Sequence, residues 1–377
     1  MLPDQIAGLR RGVGEIARGI RISRLPEASP DEPIFVQNYD IVLEGQKFKR
    51  KKIILAAPRC SSATCTMCPI PNESFWGNTT QVGPENYINQ FKSAFKNEDP
   101  NDFELIALYN SGNWFANKEV PAESRIWFYD FIAKSKCSGI AVESLPQFIN
   151  EKTITEAKEH LGGKKLIVGI GLQSADDFIR TVCINTTCTK PQFENATKLL
   201  RENYYTPRVY LMIKPPFLTE QEAIDEAVNS IRYTASQGYV DASICPTRIA
   251  PHTVVDELVK RDLFTPPSLW SVIEILKKVD KLGIQTRVSC LDVDGKDSDT
   301  IYPRNCERCT PIILKALTAY NLGETDINGL NSLDCDCKQP YEKQVLDEQK
   351  TIGSMPLAQR IRHFLELYRQ TQLSVLS

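Results

Sequence analysis

The sequence predicts an α/β fold, a partial (β/α)6 TIM-type barrel followed by a small cysteine-containing C-terminal extension. Short apolar runs stand at 52–57, 104–109, 139–143, 164–171, 208–213 and 241–245, each too short for a buried helix. Between them, stretches such as 121–136, 153–160, 191–203 and 220–237 repeat apolar residues at intervals of three and four, the period of a helix with one buried face. Strands that alternate with helices pair in parallel, because a parallel connection needs a long crossover. A chain of 377 residues with 42% hydrophobic content is large enough for one such domain with small additions. The expected division is a helical or extended lead-in over 1–51, the barrel over 52–290 and the extension over 291–377.

A barrel of this kind works at the C-terminal ends of its strands. At those ends the chain is polar or carries glycine: Tyr109-Asn110-Ser111-Gly112-Asn113, Val142-Glu143-Ser144-Leu145-Pro146, Gly169-Ile170-Gly171-Leu172-Gln173-Ser174, Ile213-Lys214-Pro215-Pro216-Phe217 and Ser243-Ile244-Cys245-Pro246-Thr247. Glycine lets backbone approach a cofactor closely, while Glu143, Gln173 and Lys214 supply acceptors and donors for amine, hydroxyl and carboxylate groups. Any one of these is ordinary loop polarity, but five on one rim point to a site. Cys245 at the sixth strand end is expected to face a substrate and is the candidate catalytic residue.

Directly after the first apolar run stand Cys60, Cys65 and Cys68, spaced C-x4-C-x2-C. Three thiolates hold a [4Fe-4S] cluster with one iron left for an outside ligand, whereas an electron-transfer cluster takes a fourth cysteine. The alternatives are a zinc knuckle and packing cysteines; zinc asks for a second pair nearby, and neither a cysteine pair nor a histidine follows within the next sixty residues. In radical S-adenosylmethionine (SAM) enzymes, which this loop resembles, the outside ligand is the amino and carboxylate end of SAM.

The run from about 52 to 276 resembles the elongator-catalytic-subunit-like branch of those enzymes, and most closely the archaeosine synthase radical SAM subunit family, RaSEA. The resemblance is carried by Cys65-Thr66-Met67-Cys68, Asn110-Ser111-Gly112-Asn113-Trp114-Phe115, Val142-Glu143-Ser144-Leu145-Pro146-Gln147-Phe148-Ile149, Ile170-Gly171-Leu172-Gln173-Ser174, Lys214-Pro215-Pro216-Phe217-Leu218 and Pro266-Pro267-Ser268-Leu269-Trp270-Ser271. It implies reductive cleavage of SAM to a 5′-deoxyadenosyl radical and carbon–nitrogen bond cleavage in a lysine-bearing deazaguanine of tRNA, beside a lysine-transferring partner enzyme. Ser111, Gly112, Asn113, Glu143, Gln173, Ser174 and Lys214 are the expected SAM-binding residues. An electron donor such as a flavodoxin or ferredoxin is implied as well. Arg59, Thr64 and Pro69 replace the family's usual glycines beside the cysteines, Leu145 stands where arginine is common, and the pattern after the fourth strand reads Cys183-Ile184-Asn185-Thr186-Thr187-Cys188.

A second cysteine group, Cys306, Cys309, Cys335 and Cys337, offers four thiolates, which on ligand count is a closed tetrahedral zinc site. A fully ligated auxiliary iron–sulfur cluster and unrelated surface thiols compete with zinc. A structural staple for the tail, including an amphipathic helix over 357–370, is the expected role. Cys137, Cys183, Cys188 and Cys290 read as core or incidental thiols, and His160, His252 and His363 as surface or packing residues. The basic run 47–52 reads either as a solvated approach to the first strand or as a contact to RNA phosphates.

Twelve cysteines without a signal peptide read as reduced thiols and metal ligands in a cytoplasmic protein. No apolar run reaches the roughly 18 residues of a membrane span. A net charge of −2 and a pI near 6.1 argue against a chain that coats itself in nucleic acid but allow a local RNA site. Besides the tRNA reading, the sequence allows a radical SAM enzyme acting on a small metabolite or natural-product precursor, and a non-catalytic metal scaffold, which the intact triad disfavours.

Overall fold

The computed structural model describes residues 2–21, 29–43, 45–70, 82–110, 112–238, 241–284, 286–289 and 299–376. Its centre is an eight-stranded sheet in sequence order: β1 (Phe35–Leu43), β2 (Gln46–Ile54), β3 (Leu105–Tyr109), β4 (Gly139–Glu143), β5 (Lys165–Gln173), β6 (Thr206–Ile213), β7 (Asp241–Pro246) and β8 (Arg287–Val288). β1 pairs antiparallel with β2, and every later neighbour is parallel. The six predicted strands are β2 to β7, and the sheet curls into a half-barrel. Arg287 Nη2 donates to Val42 O (2.7 Å), which ties the last strand back to the first across the open side.

Helices cover the outside. α1 (Pro3–Gly19) precedes the sheet, and α2 (Pro84–Ala94), α3 (Ala122–Lys134), α4 (Glu151–His160), α5 (Lys190–Glu202) and α6 (Glu220–Ser236) fill the crossovers from β2 to β7. α7 (Val254–Val259) and α8 (Leu269–Asp280) follow β7, and α9 (Thr310–Asn321), α10 (Ile327–Asn331), α11 (Lys338–Thr351) and α12 (Leu357–Leu376) form the extension. Alternate strand residues divide between two apolar layers, as the two-residue period of a strand requires. Ile53, Ile106, Ile140, Val168, Leu211 and Ile244 face the helices, while Phe48, Leu105, Ala107, Ala141 and Ile167 fill the barrel's lower interior. A third cluster joins α1, α7 and α12 through Val13, Leu258, Phe364 and Phe217. The first and last helices thus pack together beside the mouth.

Two expectations are corrected. The first parallel strand begins six residues earlier than read, so the basic run 47–52 is the strand itself, and the 51/52 boundary falls inside β2. Only part of the run lies inside the fold: Lys47 and Lys49 are exposed and Lys52 is half-buried. Arg50 and Lys51 are buried, Lys51 pairs with Glu98, Lys47 pairs with Asp40 (2.9 Å), and Lys49 lies 4.7 Å from the centre of the Phe103 ring. Strand hydrogen bonding and long aliphatic stems let lysines occupy a sheet face when a carboxylate or ring meets the charged end. The β1–β2 hairpin was absent from the sequence reading as well. No described helix is long and apolar enough to cross a membrane.

Candidate active site

The loop after β2 carries Cys60, Cys65 and Cys68 over the C-terminal strand ends, and its neighbours hold it in place. Thr66 is fully buried, donating from Oγ1 to Cys183 O (2.8 Å) and from its backbone N–H to Ile184 O (2.9 Å). Asn185 and Thr64 exchange side-chain bonds to each other's carbonyls at 3.0 and 3.1 Å, and Ser62 meets Thr187 at 3.0 Å. The 183–188 segment, which departs from the family pattern, is therefore the seat of the cysteine loop. Arg21 donates to Cys65 O and Cys68 O at 3.2 and 3.0 Å, placing a guanidinium against the loop.

The donor set fits an iron–sulfur cluster. Burial pushes the Cys65 thiol up to about 11 and the Cys68 thiol up to about 12, with neighbouring cysteines adding to it. Such thiols become thiolates only against a strong positive centre. Among the described residues, the four C-terminal cysteines are the set within single-ion distance. Asn113 Nδ2 reaches Cys60 Sγ at 3.6 Å, a weak hydrogen bond of the kind that tunes a ligand sulfur.

Glu119 is the residue the sequence reading missed. It is 1% exposed and accepts four hydrogen bonds: from Ser61 N (2.8 Å), Ser61 Oγ (2.6 Å), Asn113 Nδ2 (2.9 Å) and the Asn113 backbone N–H. One buried carboxylate thus joins the cysteine loop to the loop after β3. Gly112 lies between them, where a Cβ would fall 1.8 Å from Glu119 Oε2 and 2.9 Å from Cys60 Cα. Only glycine allows that approach.

The other expected residues divide. Asn113 is buried beside Cys60 and accepts from Leu145 N (2.8 Å), linking three strand ends. Gln173 is half-buried with φ +67°, at a bulge in the β5–β6 pairing, and Gly171 makes room for its amide. Ser174 is fully buried and donates to Glu226 (2.5 Å) on α6, so its hydroxyl braces a helix. Lys214 is 2% exposed and pairs with Glu220 (2.7 Å) and, more distantly, Glu348 (3.8 Å), so its ammonium faces α6 and α11. Glu143 points into the barrel, where burial raises its carboxyl against the opposing effect of a Tyr210 hydrogen bond and of Arg50, Arg208 and Lys52. Cys245 is half-buried on β7, on the inward side with Ser243 and Asp241. Ser111 lies outside the described residues, as does Cys290.

In the extension, Cys306, Cys309, Cys335 and Cys337 bring their sulfurs within 4.8 Å of one another, with three pairs at 3.5 Å. A tetrahedron of thiolates around an ion at 2.3 Å has edges of about 3.8 Å. The backbone N–H of Cys337 and then Arg308 hold the Cys335 thiol down at about 6. Trp270 Nε1 on α8 donates to Cys337 Sγ (3.4 Å), which docks the group on the barrel. His160 contacts Asp130 (3.0 Å) on the surface.

A curled parallel half-barrel with a three-cysteine loop above its strand ends is the architecture of a radical SAM enzyme, and that is the class of this chain. No protein-family profile matches it. It is 31% identical over 326 residues to the uncharacterized protein MJ0550 of Methanocaldococcus jannaschii, covering 83% of this chain and 86% of that one. It is 26% identical to archaeosine synthase subunit beta of Methanosarcina acetivorans, over 92% of this chain and 98% of that protein. Among solved structures, Methanocaldococcus infernus Elp3 with an N-terminal deletion aligns at a TM-score of 0.47 and 19% identity, over 64% of this chain and 60% of that one. The chain belongs to the family of the M. jannaschii protein and is a RaSEA-like radical SAM enzyme.

Proposed function

We propose that Cys60, Cys65 and Cys68 hold a [4Fe-4S] cluster that binds SAM, and that the chain cleaves a carbon–nitrogen bond of a lysine-bearing deazaguanine in tRNA. When bound and reduced, the cluster supplies one electron to the SAM sulfonium, giving methionine and a 5′-deoxyadenosyl radical. The protein's share is position and exclusion of water. Gly112 and Asn113 present backbone and amide to the methionyl end, and Gln173 its amide to the ribose. Glu143 lies deeper, on the substrate side, and Cys245 faces the substrate from β7. Ser174 and Lys214 brace the helices behind the rim. The observation that carries this reading is the cysteine loop joined through Glu119 to the strand end that carries Gly112 and Asn113.

The C-terminal cysteines are proposed as a closed structural metal site, with zinc as the ion that suits four thiolates at tetrahedral spacing. Metal analysis of anaerobically purified protein decides between zinc and iron there. A substrate that is a small metabolite is a second reading, favoured by the net negative charge of the chain and by the burial of Arg50 and Lys51 within the basic run. Incubation of reconstituted enzyme, SAM and reductant with lysine-modified tRNA separates the two. Loss of the adduct supports the tRNA reading, whereas turnover of a small molecule without tRNA binding at low salt overturns it.

A further inference from the structure

Glu119 meets the cysteine loop at Ser61, and a cation, Arg21, meets it at Cys65 and Cys68. Neither the sequence reading nor the proposed function gives that cation a role. Arg21 lies two residues past the end of α1. The helix is anchored before the chain reaches the loop: Val13 is fully buried in the cluster it shares with α7 and α12, and Gly14 lies so close to Asn185 that a Cβ would fall 2.9 Å from its amide nitrogen. Asn185 belongs to the segment that seats the cysteine loop. Helix and loop therefore share one support, which delivers Arg21 against the cysteines.

The half-buried Arg21 guanidinium donates from Nη1 to Cys68 O (3.0 Å) and from Nη2 to Cys65 O (3.2 Å), so one planar fork spans two of the three ligand residues. Main-chain carbonyls engage these N–H groups, which leaves the sulfurs free for iron. Its Nε is buried with no hydrogen-bond partner among the described residues. The charged groups that act on Arg21 most strongly are Cys68, Cys65, Arg59 and Cys60, a set without a carboxylate. In return, burial raises the Cys65 and Cys68 thiols and the Arg21 charge works against that rise. A loop clamp needs only donors; an arginine brings a permanent charge as well, and taking that charge partly out of water is costly unless negative charge answers it. An electron added to a thiolate-bound cluster adds negative charge among these ligands, and a cation held beside them favours the reduced form.

We propose that Arg21 is a positioning residue for the electron-transfer step: its fixed charge, set against the carbonyls of Cys65 and Cys68, raises the reduction potential of the cluster those cysteines bind. The inference rests on the cluster of the proposed function and is independent of the substrate. A higher potential lets a physiological one-electron donor charge the cluster before SAM is cleaved.

The test is a mediated redox titration of anaerobically reconstituted wild type, Arg21→Met, Arg21→Gln and Arg21→Lys, followed by the paramagnetic resonance of the reduced cluster, with iron content and SAM affinity measured on the same samples. At a given solution potential, Arg21→Met and Arg21→Gln should show a ratio of reduced to oxidised cluster about tenfold below wild type, a downward shift of about 59 mV for one electron. Arg21→Lys, which keeps the charge and loses the fork, should stay near the wild-type potential. If Arg21→Met takes up no iron, Arg21→Gln, which keeps N–H donors for a carbonyl, carries the test. An unshifted potential in the neutral variants overturns the proposal, and so does an equal downward shift in Arg21→Lys, which places the effect in loop geometry. Loss of iron from both neutral variants makes Arg21 a clamp alone, and weakened SAM binding at an unshifted potential makes it a cofactor contact; either result overturns the proposal. Wild type that reconstitutes no cluster removes the cluster reading itself, a result distinct from all of these.

Discussion

The two cysteine groups use similar residues for opposite ends. At the mouth, three half-buried thiols lie on one loop with their pKa values pushed upward, and most of what positions them comes from elsewhere: Arg21, Glu119, Thr187 and the carbonyls of 183 and 184. In the extension, four thiols converge within 4.8 Å and largely organise themselves, two at the start of α9 and two at the start of α11. A closed site spends all of its ligands on the fold; an open one leaves a coordination position for chemistry and must be held by its surroundings. The difference teaches that the reactive centre is to be judged by its supports rather than by its ligands.

Removal of ligands tests that contrast most severely. A Cys60→Ala, Cys65→Ala, Cys68→Ala triple variant should lose about four irons and all SAM cleavage after anaerobic reconstitution, measured by iron assay and product chromatography. Retained iron and brown colour would end the cluster assignment. Next in size is the missed support. Glu119→Ala should keep the three cysteines yet lower SAM cleavage by about a hundredfold, because a displaced loop misplaces the reacting atoms. Full activity in that variant would mean the loop holds itself.

In the extension the expected loss is of stability rather than chemistry. Cys309→Ala with Cys335→Ala should release one metal equivalent and lower the melting temperature by roughly 5 to 10 °C, as a loss of a few kcal/mol does in a chain of this size. Iron at the mouth should be unchanged. A fall in mouth iron would show that the two centres are coupled, through Trp270 or through Glu348 and Lys214.

The smallest effect concerns the tail. Arg360 on α12 makes a bidentate pair with Glu222 (2.7 Å to each oxygen) and donates to Phe217 O (2.8 Å). Burial opposes the Glu222 charge, but the Arg360 bonds win and hold its carboxyl below the usual range. Its contribution is therefore fully present above the unfolded-state carboxyl pKa and is lost as pH falls through the lower folded value. Arg360→Met should cost about 2 kcal/mol near neutrality and flatten that acid-side decline in denaturant titrations. An equal decline in the variant would place the pH dependence on other carboxylates.

Much of this was legible beforehand. The β3 to β7 runs and their helices stood out because buried parallel strands read as short apolar runs and amphipathic helices repeat at three and four. β4 matches its predicted span residue for residue. The β1–β2 hairpin did not, because its inward face mixes Tyr39 and Arg50 with Ile41 and Phe48, and a mixed face gives no clean alternation. Glu119 gave no signal either: a single glutamate in the Asn117-Lys118-Glu119-Val120 stretch looks like any solvated loop acid.

Ligand chemistry and element order belong to the sequence alone. Thiolate number and spacing are local quantities, and so is the periodicity that alternates strand with helix. What only the tertiary structure decided is the direction of side chains across long separations. In a strand a shift of one residue exchanges the two faces, so whether Arg50 meets solvent, RNA or the barrel floor depends on a register set against Tyr39 and Leu105. Lys214 likewise turned outward because Glu220 and Glu348 meet it there, a juxtaposition of residues up to 134 positions apart that no local pattern encodes.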